Sequence, residues 1–188
     1  MIEDTLMENP WQILNTREMV DTPWIRVVMH DVIHPGSEKG MYTVTHFKNL
    51  AIGILPLDEE MNTWVVGQFR FPLGQYSWEM PEGGGPIGID PLESARRELK
   101  EETGIEARRW TLLNMMHLSN STTDEVAYLY LARDLSFGES DPEPGEQLEI
   151  KKIPFEELYR MVINGEVTDA MTVATVLRVK LMVLEGKL

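Results

Sequence analysis

PEGGGPIGIDPLESARRELKEETGI, residues 81–105, runs three successive glycines into a stretch of helical pattern that carries clustered carboxylates. Asp90 is placed to cap that helix and Pro91 to open it, while Thr103-Gly104 reads as its stop. Leu92, Ala95 and Leu99 form the expected inward stripe. Glu98, Glu101 and Glu102 fall at i, i+3 and i+4, which the helical period places on one face. Three like charges so close repel one another. Arg97, one turn before Glu101, offsets one of them and leaves two in excess. A hard divalent cation would neutralise these, and Mg²⁺ takes carboxylate oxygens in this manner. Gly83, Gly84 and Gly85 carry no Cβ, so as a loop they would let backbone groups approach a ligand closely. Taken alone, an acidic helix of this kind reads as a solvated surface helix. The spaced assembly of glycines, Arg-Glu-x-x-Glu-Glu and a terminal glycine is what separates the two readings.

Composition bounds the rest. With 188 residues, 43% of them hydrophobic, the chain is long enough to bury a full core, and one globular domain is the default. No apolar run approaches the roughly 18 residues of a membrane span, and the polar start MIEDTLMENP lacks the basic and apolar regions of a signal peptide. A soluble cytoplasmic protein without membrane partners is therefore expected. The absence of cysteine removes disulfides, thiolate zinc sites and cysteine nucleophiles. A net charge of −14 argues against a nucleic-acid partner, which would require a basic face. A small phosphorylated substrate arriving with metal ions remains compatible with it.

Along the chain, residues 24–33 and 41–47 read as two strands joined by a turn at 34–40, a β-hairpin; the pattern before them, from Trp11 to Thr22, is weak. Strands are further expected at 50–57, 63–71, 78–80, 110–118, 126–132 and 148–153. Helices are expected at 155–164 and from about Asp169 to Leu184, the last with apolar positions at Val173, Val176, Leu177 and Leu181. Residues 133–147 form an acidic loop with Glu139, Asp141, Glu143 and Glu146, long enough to suggest a functional role. This pattern indicates an α/β (α+β) domain, a mixed sheet sandwiched between helices, rather than a doubly wound parallel sheet.

The glycine-to-helix stretch resembles the signature of the Nudix hydrolase family, G-x5-E-x7-R-E-U-x-E-E-x-G-U, where U is a bulky aliphatic residue. Gly83, Arg97, Glu98, Leu99, Glu101, Glu102, Gly104 and Ile105 stand in register, and Ile89 takes the place of the first signature glutamate. The flanks Gly67-Gln68-Phe69-Arg70-Phe71-Pro72 and Trp78-Glu79-Met80-Pro81-Glu82 are similar to the ADP-ribose pyrophosphatase and nucleoside-diphosphate-sugar hydrolase branch. The resemblance implies the Nudix fold over residues 48–188, with residues 1–47 as a β-hairpin extension that serves dimerisation in that branch.

It further implies Mg²⁺-dependent hydrolysis, with Mn²⁺ as a substitute, of a nucleoside diphosphate sugar such as ADP-ribose or GDP-mannose to a nucleoside monophosphate and a sugar phosphate. Glu98 and Glu102 are the expected metal ligands, joined by Glu101 as ligand or bridging partner and by the backbone carbonyl of Glu82. Arg97 is expected to orient a carboxylate. The general base is expected from the acidic loop, Glu146 ranking before Glu143 and Glu139. Arg70 is expected near the substrate phosphates, with a strand-end surface arginine as its alternative, and Glu79 as a ligand-holding acid; Trp24 is a candidate to stack on the base, a reading that ranks behind a buried core tryptophan. His117 and Asp124 read as structural. Rival readings are a Nudix enzyme for a dinucleoside polyphosphate or a damaged nucleoside triphosphate, and a nucleotide-sensing module whose turnover was lost with the glutamate at Ile89.

Overall fold

The structure is a computed structural model and describes residues 8–141, 145 and 147–188. The chain divides into two compact units, one of residues 1–48 with 119–124 and one of residues 49–118 with 125–188. The first unit contains β1 (Gln12–Asp21), β2 (Ile25–Ile33) and β3 (Lys39–Phe47), an antiparallel sheet in the order β1-β2-β3. The hairpin of β2 and β3 is present in regular register, from Ile25 opposite Phe47 to Ile33 opposite Lys39. A third strand, β1, pairs with the outer edge of β2 where the sequence pattern is weak. The reason is physical: all ten residues of β1 are exposed, so neither face required an apolar run. Residues 119–124 close on β3 through the Thr45 N–H to Thr122 carbonyl bond of 2.9 Å. Asp124 completes that closure, its Oδ1 accepting from the Phe47 N–H at 3.0 Å and its Oδ2 lying 2.6 Å from His46 Nδ1.

The second unit holds β4 (Asn49–Pro56), β5 (Asn62–Arg70), β6 (Gln75–Glu79), β7 (Glu82–Pro86), α1 (Pro91–Thr103), β8 (Ile105–His117), β9 (Val126–Phe137), β10 (Glu149–Pro154), α2 (Phe155–Ile163) and α3 (Ala170–Leu184). Four strands form a mixed sheet in the order β7-β4-β9-β8, in which β4 and β9 run parallel and the other pairs antiparallel. A second, antiparallel sheet has the order β10-β5-β6. Alternation along β4 sends side chains to two cores. Ile52 and Ile54 pack with Ala95 and Leu99 of α1 and with Tyr130. Leu55 packs with Leu129 and Leu131 of β9, Leu158 of α2, and Val176 and Val179 of α3. The sheet is thus layered between helices, as expected for an α+β domain. Among the described residues no helix is long and apolar enough to cross a membrane.

Residues 82–86 are not a loop but the edge strand β7, whose backbone pairs with β4 from Gly85–Leu50 to Glu82–Gly53. Glycines carry no side-chain alternation, so the strand leaves no pattern to read. The apolar positions expected on α3 divide: Val176 is buried and Val173 packs against the same core, whereas Leu177 and Leu181 are exposed and Thr172, Thr175 and Val179 complete the buried face. Thr172 has a specific use there, its Oγ1 accepting the Met80 backbone N–H at 3.0 Å between β6 and β7.

Candidate active site

Helix α1 begins as its sequence dictates. Asp90 accepts the Leu92 N–H at 3.0 Å, Pro91 opens the first turn, and Gly104 ends it at φ 70°. Gly104 is required on two counts: that φ disfavours a side chain, and a Cβ there would stand 2.4 Å from the Gly138 carbonyl oxygen. With its ends fixed, the helix turns Ala95 and Leu99 into the core and carries Glu98 and Glu102 inward on the flank that meets β7. Both are buried, 9% and 2% exposed, so they are not acids of a solvated face. Glu101, whose side chain is 34% exposed, stays at the rim.

Strand β7 is fitted to those carboxylates. The Glu82 N–H donates to Glu102 Oε2 at 3.0 Å. At Gly83 a Cβ would lie 2.2 Å from the Glu98 carboxyl carbon, so the helix acid occupies the space a side chain would need. Arg97 ties the two elements together. Its Nη2 donates to Glu98 Oε1 at 2.6 Å and to the Gly84 carbonyl at 2.7 Å, and its Nη1 to Glu101 Oε2 at 2.8 Å. Burial alone would weaken the hold of Arg97 on its proton, but the charges of Glu98 and Glu101 outweigh it and raise its pKa.

The opposite wall comes from β6 and the end of β5. Arg70 Nε donates to Glu79 Oε1 and Oε2 at 3.1 and 2.9 Å, and its Nη2 reaches Glu79 and the side chain of Glu82. Burial opposes the charge on Arg70, but hydrogen bonds to Glu79 and the charges of Glu82 and Glu79 overcome it and raise the pKa above its ordinary value. Glu82 is pushed well above the carboxylate range, first by burial and then by the charges of Asp169 and Glu79, against the pull of Arg70. One Glu82 oxygen, Oε2, is buried without a hydrogen-bond partner.

Glu79, Glu82, Glu98, Glu102 and Asp169 thus share a nest with two arginines. A lone unpaired acid in such a place is costly, and the excess of hard oxygen donors with one orphaned oxygen fits a hard divalent cation. In this arrangement the arginines bridge the acids, and among the described residues no three acidic or histidine side chains surround a common point closely enough to hold an ion.

Asp169 joins the nest without any sign of it in the sequence pattern. It is the N-cap of α3, accepting the Thr172 N–H at 2.7 Å, where the sequence shows only the start of a helix. Trp24 belongs to the first unit, where it is 70% exposed and not a core residue. His117 ends β8 opposite Val126. Glu139 lies exposed beyond β9. Glu143 and Glu146 lie outside the described residues. Ile89 is 47% exposed between β7 and α1.

The chain's likeness to other proteins agrees with this construction. The family model described as the NUDIX domain matches residues 47–173. An ADP-ribose pyrophosphatase of Bacillus subtilis (strain 168) is 34% identical over 124 residues, 65% of this chain and 67% of that protein. One of Mycobacterium tuberculosis (strain ATCC 25618 / H37Rv) is 32% identical over 140 residues, 72% of this chain and 66% of that protein. Among solved structures, the crystal structure of an ADP compounds hydrolase superposes with a TM-score of 0.83 at 19% identity, covering 95% of this chain and 97% of that one.

Proposed function

The chain belongs to the NUDIX domain family and is a pyrophosphohydrolase, and we propose that the bond it splits is the diphosphate of a nucleoside diphosphate sugar, ADP-ribose or GDP-mannose among the candidates. The observation that carries the proposal is the nest itself. Five buried or capping carboxylates face one another across β6, β7, α1 and α3, with Arg70 and Arg97 as their counter-charges. The similarity of the chain to two ADP-ribose pyrophosphatases supports the choice of substrate.

The products are a nucleoside monophosphate and a sugar phosphate. Glu98 and Glu102 would hold Mg²⁺, or Mn²⁺ in its place, together with Glu101 and the backbone carbonyl of Glu82. When bound, such an ion neutralises charge on the diphosphate oxygens and acidifies water. The chain's own residues do the positioning. Arg97 fixes the carboxylate of Glu98 against β7 and draws Glu101 toward it. The Glu82 N–H fixes Glu102. Arg70 holds Glu79 and Glu82 at the facing wall, with the guanidinium fork suited to a phosphate that enters there. We assign the general base to the acidic loop after β9, with Glu146 first, then Glu143 and Glu139. Trp24 is proposed to stack on the base, and the first unit to serve dimerisation. Because Arg97, Glu98, Glu101 and Glu102 are all in place, the isoleucine at position 89 leaves turnover intact in this reading.

The test is a hydrolysis panel of ADP-ribose, GDP-mannose, UDP-glucose, a dinucleoside tetraphosphate and 8-oxo-dGTP, with Mg²⁺ or with EDTA. Metal-dependent conversion of the sugar nucleotides to monophosphates is expected. Preferential cleavage of either of the last two substrates would replace the proposal. Binding without cleavage of any of them would make the protein a sensor.

A further inference from the structure

Away from the acidic nest, α1 and β8 enclose a cavity of about 400 Å³ lined by Arg96, Glu106, Ala107, Arg108 and Trp110. That volume falls in the range of small-ligand sites, about 300–1,000 Å³. Its charge is unusual for this chain, in which 31 acids face 17 basic residues. Arg96 and Arg108 have no ion-pair partner among the described residues. The single carboxylate of the lining, Glu106, is already matched by Lys100, whose Nζ lies 2.9 Å from its Oε1. Arg108 also borders a neighbouring hollow with Glu59 and Asp134, and Asp134 is committed to Arg109 at 2.8 Å.

The remaining wall is aromatic and fixed. Trp110 Nε1–H donates to the Ala107 carbonyl at 3.0 Å, and the indole packs edge-on against Tyr130 at 6.2 Å between centroids. A tryptophan so held offers a flat surface at little entropic cost. Two guanidinium groups outside any ion pair among the described residues supply planar forks for a phosphate. Repulsion would exclude an acid-rich partner less effectively here than over the rest of this strongly negative surface. Together these features suit a ligand with a planar ring and a terminal phosphate.

We propose that this cavity is a second binding site, separate from the acidic nest, for a nucleoside monophosphate, with the phosphate on Arg96 and Arg108 and the base against Trp110. The inference stands apart from the reaction proposed above, since none of these residues contributes to the nest.

The experiment is a titration of the intact protein in EDTA with AMP, followed by calorimetry and by tryptophan fluorescence, with adenosine and inorganic phosphate as parallel probes. AMP is expected to bind and to quench fluorescence. R96Q/R108Q, two exposed positions, should bind AMP at least tenfold more weakly while keeping wild-type hydrolysis rates. E98Q/E102Q should keep the binding, and W110F should lose the quench. Undiminished AMP binding by R96Q/R108Q, or a quench that persists in W110F, would overturn the site. Adenosine or inorganic phosphate binding as tightly as AMP would overturn the assignment of its ligand.

Discussion

Replacing Gly83 with alanine places a methyl group where the structure has a carboxylate. The added Cβ would lie 2.2 Å from the Glu98 carboxyl carbon and 2.3 and 2.6 Å from its oxygens, whereas ordinary contact begins at 3.4 Å. Glu98 would have to retreat by at least about 1 Å, and a misplacement of that size at a reacting centre costs about 100-fold in rate. It cannot retreat freely, being 9% exposed and held by Arg97 at 2.6 Å. The backbone is no obstacle, since Gly83 is not among the glycines at positive φ. Gly84→Ala is the matched control on the same strand: its nearest neighbour would be Asn49 Cβ at 3.8 Å. We expect kcat on ADP-ribose to fall about 100-fold in G83A, about 2.7 kcal/mol of transition-state stabilisation, and to change less than about twofold in G84A. Thermal melts of both variants should show cooperative unfolding, with G83A destabilised by about 1–3 kcal/mol as for other overpacked sites. G83A turning over at the wild-type rate would refute the view that Glu98 must sit against β7.

Other expectations follow from the same geometry. Arg70→Ala leaves Glu79 and Glu82 without their shared cation; discounted for the one-third exposure of Arg70, the loss should be about 2–3 kcal/mol in EDTA, read by chemical denaturation, and an unchanged midpoint would remove Arg70 from the nest's support. Asp58 gives a pH signature. Burial raises its pKa, but the Asn62 backbone N–H, Lys152 and the Asn62 side chain outweigh it and leave it lowered. Its contribution is therefore full above the ordinary aspartate value of about 3.9 and is lost as pH falls through the lower folded value. The Tm difference between wild type and D58N should be present at pH 7 and close in that acid window; a difference independent of pH would contradict the pairing.

What the sequence reveals of this molecule depends on the range over which each residue acts. The ends of α1 are readable because Asp90, Pro91 and Gly104 act through local backbone chemistry. Glu98 and Glu102 are readable because their spacing alone puts them on one face. The strand character of Gly83–Gly85 is not, because its partner β4 lies far earlier in the chain, and glycine records no face. The inward face of α3 is only half legible in its apolar pattern, because beside Val173 and Val176 the buried positions include threonines, one of which serves the Met80 backbone rather than a core. Asp169 marks only the start of a helix in the sequence, and its place beside Glu82 arises from the packing of α3 against β4, β8 and β9. The first strand leaves only a weak trace since its residues, exposed throughout, obey no alternation.

That the carboxylates of α1 make the chain a metal-dependent diphosphate hydrolase is tested by the rate of ADP-ribose cleavage. Wild type and Glu102→Gln would each be assayed with Mg²⁺ and with EDTA, the products resolved by chromatography. Glutamine keeps the shape of the side chain that receives the Glu82 N–H and removes its charge. Wild type with Mg²⁺ is expected to yield AMP and ribose phosphate, and with EDTA neither. Glu102→Gln is expected to yield neither in any condition although it melts as a folded protein. Cleavage by Glu102→Gln at the wild-type rate would show that the helix acids do not hold the metal.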